Sequence, residues 1–161
     1  MKLIEILEAQ YDKHLSSYSD DQKIDYLKRN STEHIKYMEN PSDTVQMYAV
    51  SNNVNVIKDI ENPCEEAQLR AIRNGGGSYI QYIENPTPKA QLAAVEIYPS
   101  SIKLIKNPTK EAVMAALTTD SFVKSLSWGD SYTQFVNEYF KNNSILRNKW
   151  LRYRDNIRSM S

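Results

Sequence analysis

Apolar residues return along the middle of the chain in a compound pattern. A first cluster, Val45-Gln46-Met47-Tyr48-Ala49-Val50, is followed after a polar break by two apolar anchors three residues apart, Ile57 and Ile60. The cluster returns as Ala67–Ile72, Ala90–Val95 and Ala112–Leu117; the pair returns as Ile80 and Ile83, Ile102 and Ile105, then Val123 and Leu126. Anchors three or four apart share one face of a helix. Each unit therefore reads as a helix of about ten residues, a break, and a helix or 3₁₀ turn of about six. Neither piece is long enough to stand alone. Stacking the units predicts a buried column of Met47, Leu69, Leu92 and Met114, beside an alanine column of Ala49, Ala71, Ala94 and Ala116 that allows close approach between layers.

Between units stands a fixed punctuation: Glu39-Asn40-Pro41, Glu61-Asn62-Pro63, Glu84-Asn85-Pro86 and Lys106-Asn107-Pro108, with prolines 22, 23 and 22 residues apart. A constant period of this length marks a stacked repeat array, so the fold class is an all-α solenoid of short two-helix repeats. Proline moves the residue before it out of the α region and suits the first helical position, so each Asn-Pro step ends one segment and starts the next. The N-cap falls on the asparagine, or one residue past the proline on Ser42, Thr87 and Thr109; Cys64 is a poor cap, which favours the asparagine in the second unit. Pro88 is tolerated in a first turn. One column breaks the apolar rule. Gln46, Gln68 and Gln91 fall on the apolar arc, either as tolerated, partly exposed polar residues or as a buried ladder pairing backbone groups between units.

The chain divides into an N-terminal cap helix (residues 1–18), about five repeats (19–126) and a larger, aromatic C-terminal helical cap (127–161). Solenoids need atypical end units, because an open end would expose the core. The amphipathic run of residues 1–17 also fits a dimerisation helix. Residues 18–40 form a degenerate first repeat, with Ile24, Leu27, Ile35 and Met38 as its anchors. Gly75-Gly76-Gly77 falls in the unit with the extra residue and reads as a lengthened turn, since a phosphate loop would want a preceding strand and a Gly-Lys-Ser/Thr end.

The runs Ala90-Gln-Leu-Ala-Ala-Val95 and Tyr79-Ile-Gln-Tyr-Ile-Glu-Asn-Pro86 resemble a bacterial and viral repeat family of unknown function with an AlaVal…AsnGly…Leu-x-Tyr pattern. They are also similar to the leucine-rich repeat variant family, which alternates α and 3₁₀ helices, and more distantly to HEAT-like repeats. The resemblance spans about residues 19–126. It implies a curved right-handed solenoid and partner binding, and it brings no catalytic residues. Ile97-Tyr98-Pro99 departs from the pattern where the preceding unit has its glycines.

Composition adds little to this. Twenty acids balance twenty bases over 161 residues, which fits one domain. No run approaches the roughly 18 apolar residues needed to cross a membrane, and Glu5 and Glu8 interrupt any signal-like apolar core. Cys64 is the single cysteine. These points set the expectation of an intracellular, cytoplasmic chain. Nothing calls for a cofactor or metal: His14 and His34 are isolated, and the Asp20-Asp21 pair is accounted for by a helix N-terminus. No catalytic motif is present, so the expectation is a protein that is not an enzyme.

Charge is uneven in spite of the zero total. Residues 1–66 hold 13 acids and 7 bases, and residues 67–161 the reverse. Two candidate partner surfaces follow. The outward face of the long helices carries Tyr48, Arg70, Ala93 and Ala115, with Ser51, Arg73, Glu96 and Thr118. Structural columns repeat and these vary; Tyr and Arg are common interface anchors. The C-terminal helix carries Arg147, Lys149, Arg152 and Arg154 interleaved with Trp150, which suits nucleic acid as well as a solvated helix end. The first reading is therefore a non-enzymatic protein-binding module. Richness in Asn, Ile, Lys and Tyr fits AT-rich coding and a phage or mobile-element origin, and hence an inhibitor or adaptor of a host protein such as a defence nuclease. The alternative is a nucleic-acid-binding module using the basic C-terminal helix.

Overall fold

The computed structural model describes residues 15–117 together with residues 141, 148, 151, 152 and 155. Among these residues the chain is all-helical and holds no strand. Ten-residue-scale α-helices alternate with six-residue 3₁₀ helices: α1 (Asp20–Arg29), η1 (Thr32–Tyr37), α2 (Asp43–Asn52), η2 (Val54–Asp59), α3 (Glu65–Gly75), η3 (Gly77–Tyr82), α4 (Pro88–Ile97), η4 (Pro99–Leu104) and α5 (Lys110–Leu117). The short segments are thus 3₁₀ helices. Their anchors stand three apart, one turn of a 3₁₀ helix, so each pair points the same way. Ile35 and Met38, Ile57 and Ile60, Ile80 and Ile83, and Ile102 and Ile105 are all buried.

The caps fall one residue past each proline. Ser42 accepts from Val45 N–H, Thr87 from Ala90 N–H and Thr109 from Ala112 N–H. The same register holds in the second unit, where Cys64 is the N-cap and supplies no side-chain hydrogen bond. This corrects the expectation that Asn62 caps that helix. The first unit opens with a full capping box between Ser19 and Gln22. Asn40 lies at φ 46, a left-handed conformation that asparagine tolerates better than most residues.

Each α-helix packs on the next, from α1 to α5, and α2 to α5 each also pack on the 3₁₀ helix before them. In the 3₁₀ row η1 packs on η2 and η3 on η4. The Tyr79 hydroxyl donates to Asn55 Oδ1 at 2.7 Å and ties η3 to η2. The core lies between the two rows. Its α columns are Val45, Ala67, Ala90 and Ala112; Ala49, Ala71, Ala94 and Ala116; and Val50, Ile72, Val95 and Leu117.

The Met47 column is a correction. Leu69 is buried, but Met47, Leu92 and Met114 are only half-buried. At about 100° per residue the buried positions span an arc from Val45 to Val50, and positions 47 and 48 fall at equal angles on its two flanks. Gln46 falls near the middle of that arc. Leu15 at the start and Leu151 near the end also pack on the core. Residues 1–14 of the expected N-terminal cap, all of the expected C-terminal cap except 141, 148, 151, 152 and 155, and the Val123–Leu126 pair lie outside the described residues.

The glycine triplet is a tight joint. Gly75 ends α3 and Gly76 turns the chain at φ 91, open to glycine almost alone. A Cβ on Gly77 would run into the Ala94 carbonyl and sit 2.7 Å from Ser101 Oγ. Gly77 and Ser101 are both buried, so this stretch is packed against α4 and η4.

Candidate partner-binding surface

The glutamine column joins consecutive units and does not belong to the surface. Gln46, Gln68 and Gln91 are 5%, 3% and 5% exposed. Each Nε2 donates to the proline carbonyl at the head of its own unit: Gln46 to Pro41, Gln68 to Pro63 and Gln91 to Pro86, at 2.8, 2.8 and 3.1 Å. Each Oε1 accepts from the cap N–H of the following unit: Cys64 at 2.7 Å, Thr87 at 2.8 Å and Thr109 at 2.7 Å. The buried-ladder reading of these residues holds. In α5 the position belongs to Val113, which is buried and has no amide. In α1 it belongs to Lys23, and there the Ser42 hydroxyl donates to Asp20 Oδ2 at 2.7 Å instead.

Those bonds set the amino ends of successive α-helices side by side, with acids in the first turns of α1 to α3 and none in that of α4. Lys89 donates to Glu65 Oε1 at 2.6 Å, holds the Glu65 carboxyl below its usual range and is itself pushed up by that bond. Lys89 is exposed and Glu65 only half-buried, so the pair contributes little to stability. Burial raises the Cys64 thiol above its ordinary value, and the neighbouring Asp43 carboxylate adds to the rise.

The outward positions of the α row are only partly where the helical wheel placed them, because position 48 and its equivalents Ala93 and Ala115 flank the buried arc. Arg70, Arg73 and Glu96 are exposed, and Tyr48 is half-buried with the Lys28 ammonium 5.9 Å from its ring centre. That contact links α1 to α2 across the outer face. Asp25 pairs with both Lys28 and Arg29, at 3.7 and 3.0 Å. Ala93 and Ala115 are half-buried against the core and break the polar stripe. The geometry therefore brings Tyr48 and Arg70 onto equivalent positions of neighbouring helices, with Arg73 one turn beyond Arg70. Of the C-terminal set, Arg152 is helical and exposed. Arg147, Lys149, Trp150, Arg154 and also Thr118 lie outside the described residues.

Two features escaped the sequence reading. Tyr82, Ile97, Tyr98 and Leu104 are large apolar side chains more than two-fifths exposed. A groove of about 420 Å³ also opens between the first two Glu-Asn-Pro turns, lined by Ile35, Met38, Ile60, Glu39, Asp59 and Glu61 among others. Its signal was in the sequence: Asp59 occupies the place held by Tyr82 and Leu104 one and two units later. Among the described residues no group of three or more His, Cys, Asp or Glu could hold a metal ion, and no helix is long and apolar enough to cross a membrane. Compared with family models, curated proteins and solved structures, the chain matches none.

Proposed function

We propose that the chain is a short right-handed α-solenoid with a cap at each end, and that it is a non-enzymatic protein-binding module using the outer face of its α row. The alternation of α and 3₁₀ helices supports the likeness to the leucine-rich repeat variant and HEAT-like families. The division of labour among helix positions carries the functional reading. The repeating positions are consumed by the core and the glutamine joints, whereas Tyr48, Arg70, Arg73 and Glu96 differ from unit to unit on the outside. Large, stem-rich side chains such as Tyr and Arg are the usual anchors of protein interfaces. Docking there would block or tether the partner. A host protein as the target of a phage-borne inhibitor is the form that the Asn-, Ile-, Lys- and Tyr-rich composition favours.

The test is affinity capture from the source cell's lysate, with and without nuclease, using the wild-type chain and an Arg70→Glu/Arg73→Glu variant. The expected result is one protein retained in stoichiometric amount after nuclease treatment and lost with the variant. Loss of every partner on nuclease treatment would overturn the reading and turn attention to nucleic acid and the basic C-terminal segment.

A further inference from the structure

We infer that the groove between the first two Glu-Asn-Pro turns docks a cationic side chain, arginine or lysine, of the partner protein. The inference deepens the protein-binding reading and rests on it. The floor of the groove is apolar, formed by Ile35, Met38 and Ile60, which are 1%, 5% and 6% exposed. Its walls carry Glu39, Asp59 and Glu61. Among the described residues none of these three carboxylates takes part in an ion pair. Lys36 also lines the groove, but its ammonium lies 4.8 Å from the centre of the Tyr37 ring. Three acids against one base leave the site net negative. Gln46 at the back has one amide hydrogen on Pro41 and its oxygen on Cys64 N–H, which leaves the carboxylates as the charged acceptors for a cation.

This combination is what a basic side chain requires. Arginine and lysine bury an aliphatic stem against apolar surface and keep a charged head among polar groups. A groove of about 420 Å³ lies within the ~300–1,000 Å³ range of small-ligand sites and admits such a side chain with a stretch of its backbone. The later turns lack the same chemistry. Tyr82 and Leu104 replace Asp59, and Lys106 replaces the glutamate of the first three turns. The acidic groove is therefore a local feature of the first two turns and not a by-product of the repeat.

The probe is the peptide acetyl-Gly-Gly-Arg-Gly-Gly-amide, compared with its citrulline counterpart, which keeps the shape and lacks the charge. Binding is followed by amide chemical shifts on the full-length chain. Saturable shifts are expected at Glu39, Asn40, Glu61 and Asn62, with binding of the citrulline peptide weaker by roughly fivefold or more. Glu39→Gln/Glu61→Gln should weaken arginine binding similarly. Its denaturation midpoint should not change, because both side chains are exposed. Equal binding of the two peptides, shifts centred elsewhere, or undiminished binding by the double variant would each overturn the assignment. Self-association abolished by the double variant would make the occupant a second copy of this chain and overturn the assignment to a partner. Equal capture of a lysate protein by wild type and double variant would sink the groove and leave the protein-binding reading standing. Capture of no protein by either would sink that reading, whatever the peptide does.

Discussion

Both ends of the Gln68 amide are engaged, and each end lies on a different unit. Its Nε2 holds the Pro63 carbonyl and its Oε1 holds the Thr87 N–H, in a place almost closed to water. Gln68→Leu keeps the volume and orphans both backbone groups. Leaving buried polar groups unpaired costs about 1–3 kcal/mol each, so for two groups we expect a loss of about 2–6 kcal/mol in chemical denaturation. Unchanged stability would mean that water replaces the amide and that the joint is dispensable. At Cys64 the folded thiol titrates above its usual value of about 9. The stability gained by keeping it neutral is present below that usual value and declines as pH rises through the folded value. Cys64→Ser should flatten this alkaline decline, measured as denaturation midpoint against pH. The same burial slows alkylation near neutral pH, so rapid modification of the native chain would contradict it.

Elements in this chain are defined as much by what limits them as by their apolar faces. The Asn-Pro punctuation and the three-residue anchor spacing were enough to foresee both helices of each unit, because proline and period act locally. Cap register was not legible at Cys64. There the strong joint formed by Gln46 with the Cys64 backbone fixes the helix start, whatever the side chain there prefers. The half-burial of Met47 was missed for a different reason: an apolar side chain on the flank of an arc looks the same in sequence as one at its centre. Gly77 shows the limit of local reading. Its need for glycine comes from Ala94 and Ser101, a whole unit away. Gly77→Ala should destabilise by about 1–3 kcal/mol through overpacking. Gly76→Ala should cost a similar amount, of order 1–3 kcal/mol, through backbone strain at positive φ. Thermal unfolding of the two variants tests this; a neutral Gly77→Ala would show that α4 can shift away.

At the scale of the molecule, every joint between α2 and α5 is made by the same pair of bonds, so units should be interchangeable. Removing residues 63–85 and joining Asn62 to Pro86 offers Gln46 the Thr87 N–H in place of that of Cys64. The shortened chain should fold cooperatively with undiminished helicity per residue and a lower midpoint, as expected when stability is summed over neighbours. Loss of cooperative unfolding by circular dichroism would show that the units are not equivalent. The surface was less legible than the core. Arg70, Arg73 and Glu96 could be placed by the wheel, because outward positions follow from inward ones, whereas Tyr48 on the flank of the arc is half-buried. The groove could not, because it is a space between two turns 22 residues apart and exists only once the units are docked.

The glutamine joints also bear on how the chain would yield if pulled from its ends. Each reaches the next unit through one short bond and is anchored in its own unit by a second, while among the described residues nothing comparable links distant units, so the array is loaded in series like links of a chain. Under steady tension the links should give way in succession. Each release would lengthen the molecule by about one period of extended backbone, roughly 70–80 Å before correcting for the folded width of a unit. A single-molecule trace with evenly spaced steps of that order would reveal separately yielding links; one large step would reveal a body that breaks as a whole.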